Sequence, residues 1–269
     1  MHRQKPRTGP DDGTGGHPVE PDCRSGPGDG GHPPGRPTGG AAPAVPPPLR
    51  TALGPVAAFG ALLVAVLGLL YADRDRPGAI DERIVSAVAD VRPPWRYAAL
   101  AVDFLAEPAG AAILVVAAVT GCLLLRHLRA AVLFVVGTGL TVATTKLLKP
   151  LVGRTINGEF LSYPSGHTAF LTAFAVMVAL LAAGRFGLGR TAGILLVLAA
   201  ALVAGAAMGW AQVALNAHYP TDTLGGWGTA LAVIPATAWL VDRFACTERG
   251  AMSAEVTGGP DPAGRREQR

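Results

Sequence analysis

Two short polar stretches hold the residue types that chemistry needs. The first, Lys149 to His167 (KPLVGRTINGEFLSYPSGH), gathers a lysine, an arginine, a serine and a histidine between two long apolar runs, where polar groups are costly unless used. Within it, Pro164-Ser165-Gly166-His167 stands where a new helix begins. Ser165 or its neighbour can cap that helix, leaving backbone N–H groups and the positive end of the helix dipole aimed into the loop, a ready anion site. Gly166 lets a ligand approach the backbone closely, and His167 in the first turn can reach the same anion as a proton donor. An ordinary capped helix with an interfacial histidine would use the same residues.

The second stretch, Asn216 to Asp222 (NAHYPTD), interrupts the next pair of apolar runs. His218 and Asp222 flank Pro220, which suits a first helical turn. An Asp222 carboxylate that accepts from one ring nitrogen of His218 fixes the tautomer and leaves the other nitrogen free to attack. A His–Asp pair that only caps the helix is the plainer alternative. Lys149 and Arg154 add permanent positive charge. Of the chain's three lysines, Lys146 and Lys149 end one apolar run on one helical face, and Lys146 reads as a side chain snorkelling to the interface.

The elements that must position these residues are membrane helices. Half of the 269 residues are hydrophobic and only 16% are charged, and the charges cluster outside a few long apolar segments, as in a polytopic membrane protein. A net charge of +4 here reads as membrane topology rather than nucleic-acid binding. Spans are expected over about Thr51–Ala72, Ala109–Leu125, Ala130–Leu148, from Gly166 to before Arg185, Thr191–Val213 and Thr221–Val241. Pro150 is expected to stop the third. The region up to Pro108 reads as an interfacial helix, with Ile80, Ile84, Val85 and Val88 at helical spacing, followed by a lead-in with Trp95 and Tyr97 as headgroup anchors. Asp103 and Glu107 read as the margin of a helix.

Residues 1–49, crowded with Gly and Pro, cannot bury enough apolar surface to offset their ordering entropy and are expected to be a disordered tail. Residues 50–245 form the membrane domain, and 246–269 a second polar tail. Cys23, Cys122 and Cys246 have no metal-ligand spacing and read as inert thiols. When six spans alternate, both tails, the Arg126–Arg129 turn and the Arg185–Arg190 loop fall on one side, which the positive-inside rule makes cytoplasmic. Both polar stretches then face outward on a shared side, as a site built from two loops requires. Arg154 on that side runs against the positive-inside tendency, and phosphate binding would explain it.

Lys149 to Arg154, Pro164-Ser165-Gly166-His167 and His218-Tyr219-Pro220-Thr221-Asp222 resemble the three successive signatures of the type 2 phosphatidic acid phosphatase superfamily. These are integral-membrane lipid phosphatases related to vanadium haloperoxidases, and the resemblance covers roughly residues 50 to 245. It implies an all-α fold, a six-transmembrane helical bundle flanked by disordered tails, that hydrolyses a lipid phosphate or diphosphate at the outer face of the plasma membrane. His218 would be the nucleophile, Asp222 would orient it, and His167 would protonate the leaving oxygen. Lys149, Arg154, Ser165 and Gly166 would hold the phosphoryl oxygens, with no metal or other cofactor. The implied partners are the lipid substrate and the bilayer, and no nucleic acid; nothing in the chain specifies an oligomeric state. Two cationic positions of the signatures are empty: Ile156 and Asn157 stand where an Arg-Pro pair is usual, and Ala211-Gln212 replaces a Ser-Arg pair.

Overall fold

Apolar runs of this length fold as helices in a bilayer because only a helix satisfies its own backbone polar groups there. The computed structural model describes residues 43–158 and 160–257. Its helices are α1 (Arg50–Leu70), α2 (Ala79–Val88), α3 (Trp95–Phe104), α4 (Pro108–Leu124), α5 (Leu128–Val152), α6 (Gly166–Arg185), α7 (Arg190–Ala214) and α8 (Pro220–Thr257). Between α5 and α6 a small antiparallel hairpin pairs β1 (Thr155–Ile156) with β2 (Phe160–Leu161).

Among the described residues, five helices are long and apolar enough to cross a membrane, and a sixth crossing results if α3 and α4, bent by 58°, form one broken span. The chain is thus a helical multi-pass membrane protein. The second apolar segment differs from the straight span expected over about 109–125. The 17 residues of α4 reach only about 26 Å at about 1.5 Å per residue, short of a hydrocarbon layer of about 30 Å, so α4 crosses only if α3 completes the span beyond the bend. Leu69, Leu124, Leu151 and Val203 point outward, where lipid rather than water meets them. The centre of the bundle is α6 and α8, each 56% buried across its apolar window against 17% for the first span. These two helices begin with the two motif stretches.

Three further expectations are corrected. Pro150 does not stop α5, which continues to Val152. A proline this near a helix end removes one backbone bond only, and Gly153, at φ +66°, closes the last turn by donating its N–H to the Lys149 carbonyl. Residues 43–49, assigned above to the tail, pack against the bundle. Ala44, Val45 and Leu49 are buried, Pro47–Leu49 forms a 3-10 turn, and the amides of Ala44 and Val45 donate to the Asp242 carboxylate at 2.8 and 2.9 Å. Arg129 donates to the same carboxylate at 3.3 Å, and Arg50 lies 3.8 Å from it. Finally, α8 extends well past Val241. The remainder of the two tails, residues 1–42 and 258–269, lies outside the described residues.

Candidate active site

The site is assembled at the end of the bundle where α5 ends and α6 and α8 begin. Ser165 caps α6 as its sequence suggests, its hydroxyl accepting from the Thr168 amide at 3.4 Å. The first amides of α6, those of Gly166 and His167, precede the first intrahelical bond and point out of the helix start. The loop ahead of α6 lies directly on α8. A Cβ on Gly226 would collide with the Ser165 carbonyl and one on Gly225 with the Tyr163 ring, so only bare backbone admits this approach. The Ser165 amide donates to the Asp222 carbonyl at 3.0 Å, a main-chain tie between the two motif stretches. Asn157, at the hairpin turn, donates to the Asn216 carbonyl at 3.4 Å and adds a second tie.

His218 is 9% exposed, and its Nδ1 stands 3.7 Å from Asp222 Oδ2, beyond hydrogen-bond length. Each oxygen of Asp222 has a partner: Oδ1 accepts from Arg154 Nη1 at 2.6 Å and Oδ2 from the Tyr219 amide at 3.0 Å. Burial pulls His218 below its ordinary value; Asp222 opposes that shift, and the nearby charges of Lys149 and His167 add to it. Lys149 at the end of α5, His167 at the start of α6 and His218 in the loop before α8 are thus brought to one place. Lys149 Nζ donates to the Leu161 carbonyl at 2.7 Å and is half-buried, whereas Lys146 is exposed.

Arg154 is placed differently from the sequence expectation. Its side chain is fully buried, Nη1 donating to Thr221 Oγ1 and Asp222 Oδ1 at 2.6 Å and Nη2 to Asp81 Oδ2 at 2.7 Å. The guanidinium carbon lies 4.2 Å from the Tyr71 ring centroid and 4.7 Å from that of Tyr219. With both terminal nitrogens engaged and aromatic rings packed against it, Arg154 is an internal clamp rather than a donor turned toward a phosphate. Burial inside a carboxylate pair also explains an arginine on this side of the bundle, which the charge rule alone left open.

On the other flank, His167 Nε2 stands 3.4 Å from Glu107 Oε1 and 3.7 Å from Asp103 Oδ1, with no hydrogen bond to either. Asp103 accepts a short hydrogen bond from Gln212. These carboxylates, read above as a helix margin, border the site because the bend between α3 and α4 turns both toward α6. One donor atom from each of Asp103, Glu107 and His167 lies within 4.8 Å of the others. Folding thus collects an oxygen-rich trio, able in principle to hold a divalent cation, that sequence spacing did not show.

The PAP2 superfamily matches residues 51–245. The chain belongs to that superfamily. The fold agrees: this PAP2 protein is similar to a solved structure described as the first transmembrane PAP2 type phosphatidylglycerolphosphate phosphatase from Bacillus subtilis. The two are 21% identical with a TM-score of 0.53, over 72% of this chain and 94% of that one. No curated protein matches the chain.

Within this PAP2 chain, both substituted arginine positions lack a cation facing the histidines. Ile156 is buried in the hairpin, and buried Gln212 is tied to Asp103. Asp81, Tyr71 and Thr221 are the site residues that motif reading missed. The available signal was a carboxylate at Asp81 among the apolar positions of an interfacial helix, which is costly without a partner.

Proposed function

We propose that the protein hydrolyses a lipid phosphate or diphosphate monoester, polyprenyl or glycerolipid, at the outer face of the plasma membrane, without a metal ion and through a phosphohistidine. The observation that carries the reading is the Ser165-to-Asp222 main-chain tie, because it sets the start of α6 and the His218–Asp222 pair against each other. In the first step a ring nitrogen of neutral His218 bonds to the terminal phosphorus, the bond from that phosphorus to the lipid alcohol oxygen, or in a diphosphate to the bridging oxygen, breaks, and His167 gives the departing oxygen its proton. In the second, water attacks the phosphohistidine, His167 takes the water proton, and inorganic phosphate leaves. Lys149, the Ser165 hydroxyl and the Gly166 amide oppose the charge that builds on the phosphoryl oxygens. Exposed Leu147, Leu151 and Phe160 around the end of α5 suit a substrate whose chains stay in the bilayer. The outer face rests on the alternation of spans and the basic turns at the opposite end.

Phosphate release from phosphatidic acid, phosphatidylglycerol phosphate and polyprenyl diphosphate, by purified protein in detergent with a chelator present, tests the reading. Release that survives His218→Ala overturns the nucleophile, and release abolished by the chelator moves the reading to a metal at Asp103, Glu107 and His167. A second reading, a lipid-phosphate binder or scaffold of weakened activity, draws on Ile156 and Gln212 in place of arginines. It is favoured if lipid phosphate binds without turnover and the His167→Ala and His218→Ala variants keep the cellular role.

A further inference from the structure

None of the three signatures includes α2, yet α2 places a carboxylate inside the network that holds Asp222. Asp81 is fully buried. Its Oδ1 accepts from the Thr221 amide at 2.9 Å, and its Oδ2 accepts from Thr221 Oγ1 at 2.9 Å and from Arg154 Nη2 at 2.7 Å. It thus caps the first turn of α8 from another helix, at the residue next to Asp222, and grips the far side of the guanidinium that grips Asp222. The outer face of α2 carries exposed Ile80 and Ile84, so the helix fits the bundle with Asp81 inward and apolar side chains outward.

The charge count gives this contact a role in the reaction. One buried guanidinium faces two buried carboxylates, so the Asp81–Arg154–Asp222 cluster carries a net negative charge when all three are ionised. When His218 is phosphorylated, its ring, still protonated at the nitrogen facing Asp222, becomes a cation, and the nearest counter-charge is this cluster. Without Asp81, Arg154 would neutralise Asp222 alone, and the cation formed on the ring would lose its counter-charge in a site where charges are poorly screened.

We propose that Asp81 is a positioning residue for the phosphotransfer step: by sharing Arg154 and capping α8, it keeps the Asp222 carboxylate in place and charged toward His218. The inference rests on His218 being the nucleophile. The test compares wild type, Asp81→Asn, Asp81→Glu and His218→Ala on phosphatidic acid in detergent micelles, with kcat per folded protein, KM and thermal unfolding measured for each. Asp81→Asn keeps the shape and removes the charge. It is expected to lower kcat about 10- to 100-fold with KM within about threefold of wild type. Asp81→Glu, which returns the charge one methylene out of place, is expected to fall between the two, threefold to tenfold below wild type. If Asp81→Asn keeps kcat within about threefold of wild type while His218→Ala abolishes turnover, the Asp81 role is overturned and the proposed reaction stands. If His218→Ala retains turnover, the reaction itself is wrong. A loss in Asp81→Asn that vanishes on normalising to folded protein also overturns the inference, leaving Asp81 purely structural. Should Asp81→Asn not fold, Asp81→Glu decides, and a kcat equal to wild type would overturn it.

Discussion

Each end of the apolar part of α8, Pro220–Ala245, sets an aspartate against a buried arginine, and the two arrangements differ in what is left over. At the motif end, two carboxylates, Asp81 and Asp222, share Arg154, and when all three are ionised negative charge remains beside His218. At the other end, one carboxylate, Asp242, receives the amides of Ala44 and Val45, the Arg129 guanidinium and the approach of Arg50. There the anion is fully compensated, and its place in the fold is to fasten the entering chain and the α5 start to α8. A buried ion pair therefore does not declare its role by its partners alone; the residual charge, and whether a reactive group faces it, separates a working pair from a fastening one.

His218→Ala should show the largest difference between the ends, with phosphate release falling by at least about 10³-fold and little change in the unfolding midpoint. Arg154→Met should follow, because it leaves Asp81 and Asp222 buried together without a cation. Its expected cost is about 3–5 kcal/mol of stability, read as a lowered midpoint, together with lost turnover. Asp242→Asn, at the opposite end, should cost only about 1–3 kcal/mol and leave kcat/KM per folded protein within about twofold of wild type. A large fall in turnover from Asp242→Asn would break the distinction between the ends.

The smallest effect is a pH displacement. In the proposed reaction His218 attacks unprotonated, so kcat/KM is expected to rise as pH climbs through its titration. Burial, with Lys149 and His167, outweighs the opposing Asp222 and sets that titration below the ordinary imidazole value. The acid limb of the profile should therefore lie below pH of about 6.5. In Asp222→Asn the upward pull is gone, and the limb should move lower still, on whatever activity remains.

The motif geometry was legible because it is local. Ser165 caps α6, Pro220 opens α8, and hydropathy marked the spans that carry them. The illegible parts depend on long-range partners. Asp81 lies 140 positions from Thr221, so a window around Ile80 and Ile84 saw an interfacial helix and could not see what its acid touches. Asp103 and Glu107 border His167 only because the crossing is bent, and no periodicity announced the bend. Arg154 stood out in the sequence by its charge, but its partners come from α2 and α8, which no local window could supply. Residues 43–49 were read from composition, whereas two backbone amides on a distant carboxylate decided their state.

The bond from Ser165 to Asp222 joins peptide group to peptide group, so no exchange of side chain deletes it. Replacements at either position keep the donor and acceptor, proline at 165 excepted. Such variants nevertheless lose the α6 cap at Ser165 or the Arg154 partner at Asp222, so their kinetic defects are to be read beside their unfolding midpoints. The main chain thus holds the two loops together while the side chains above it change, and what a variant loses is confined to its own side-chain contacts.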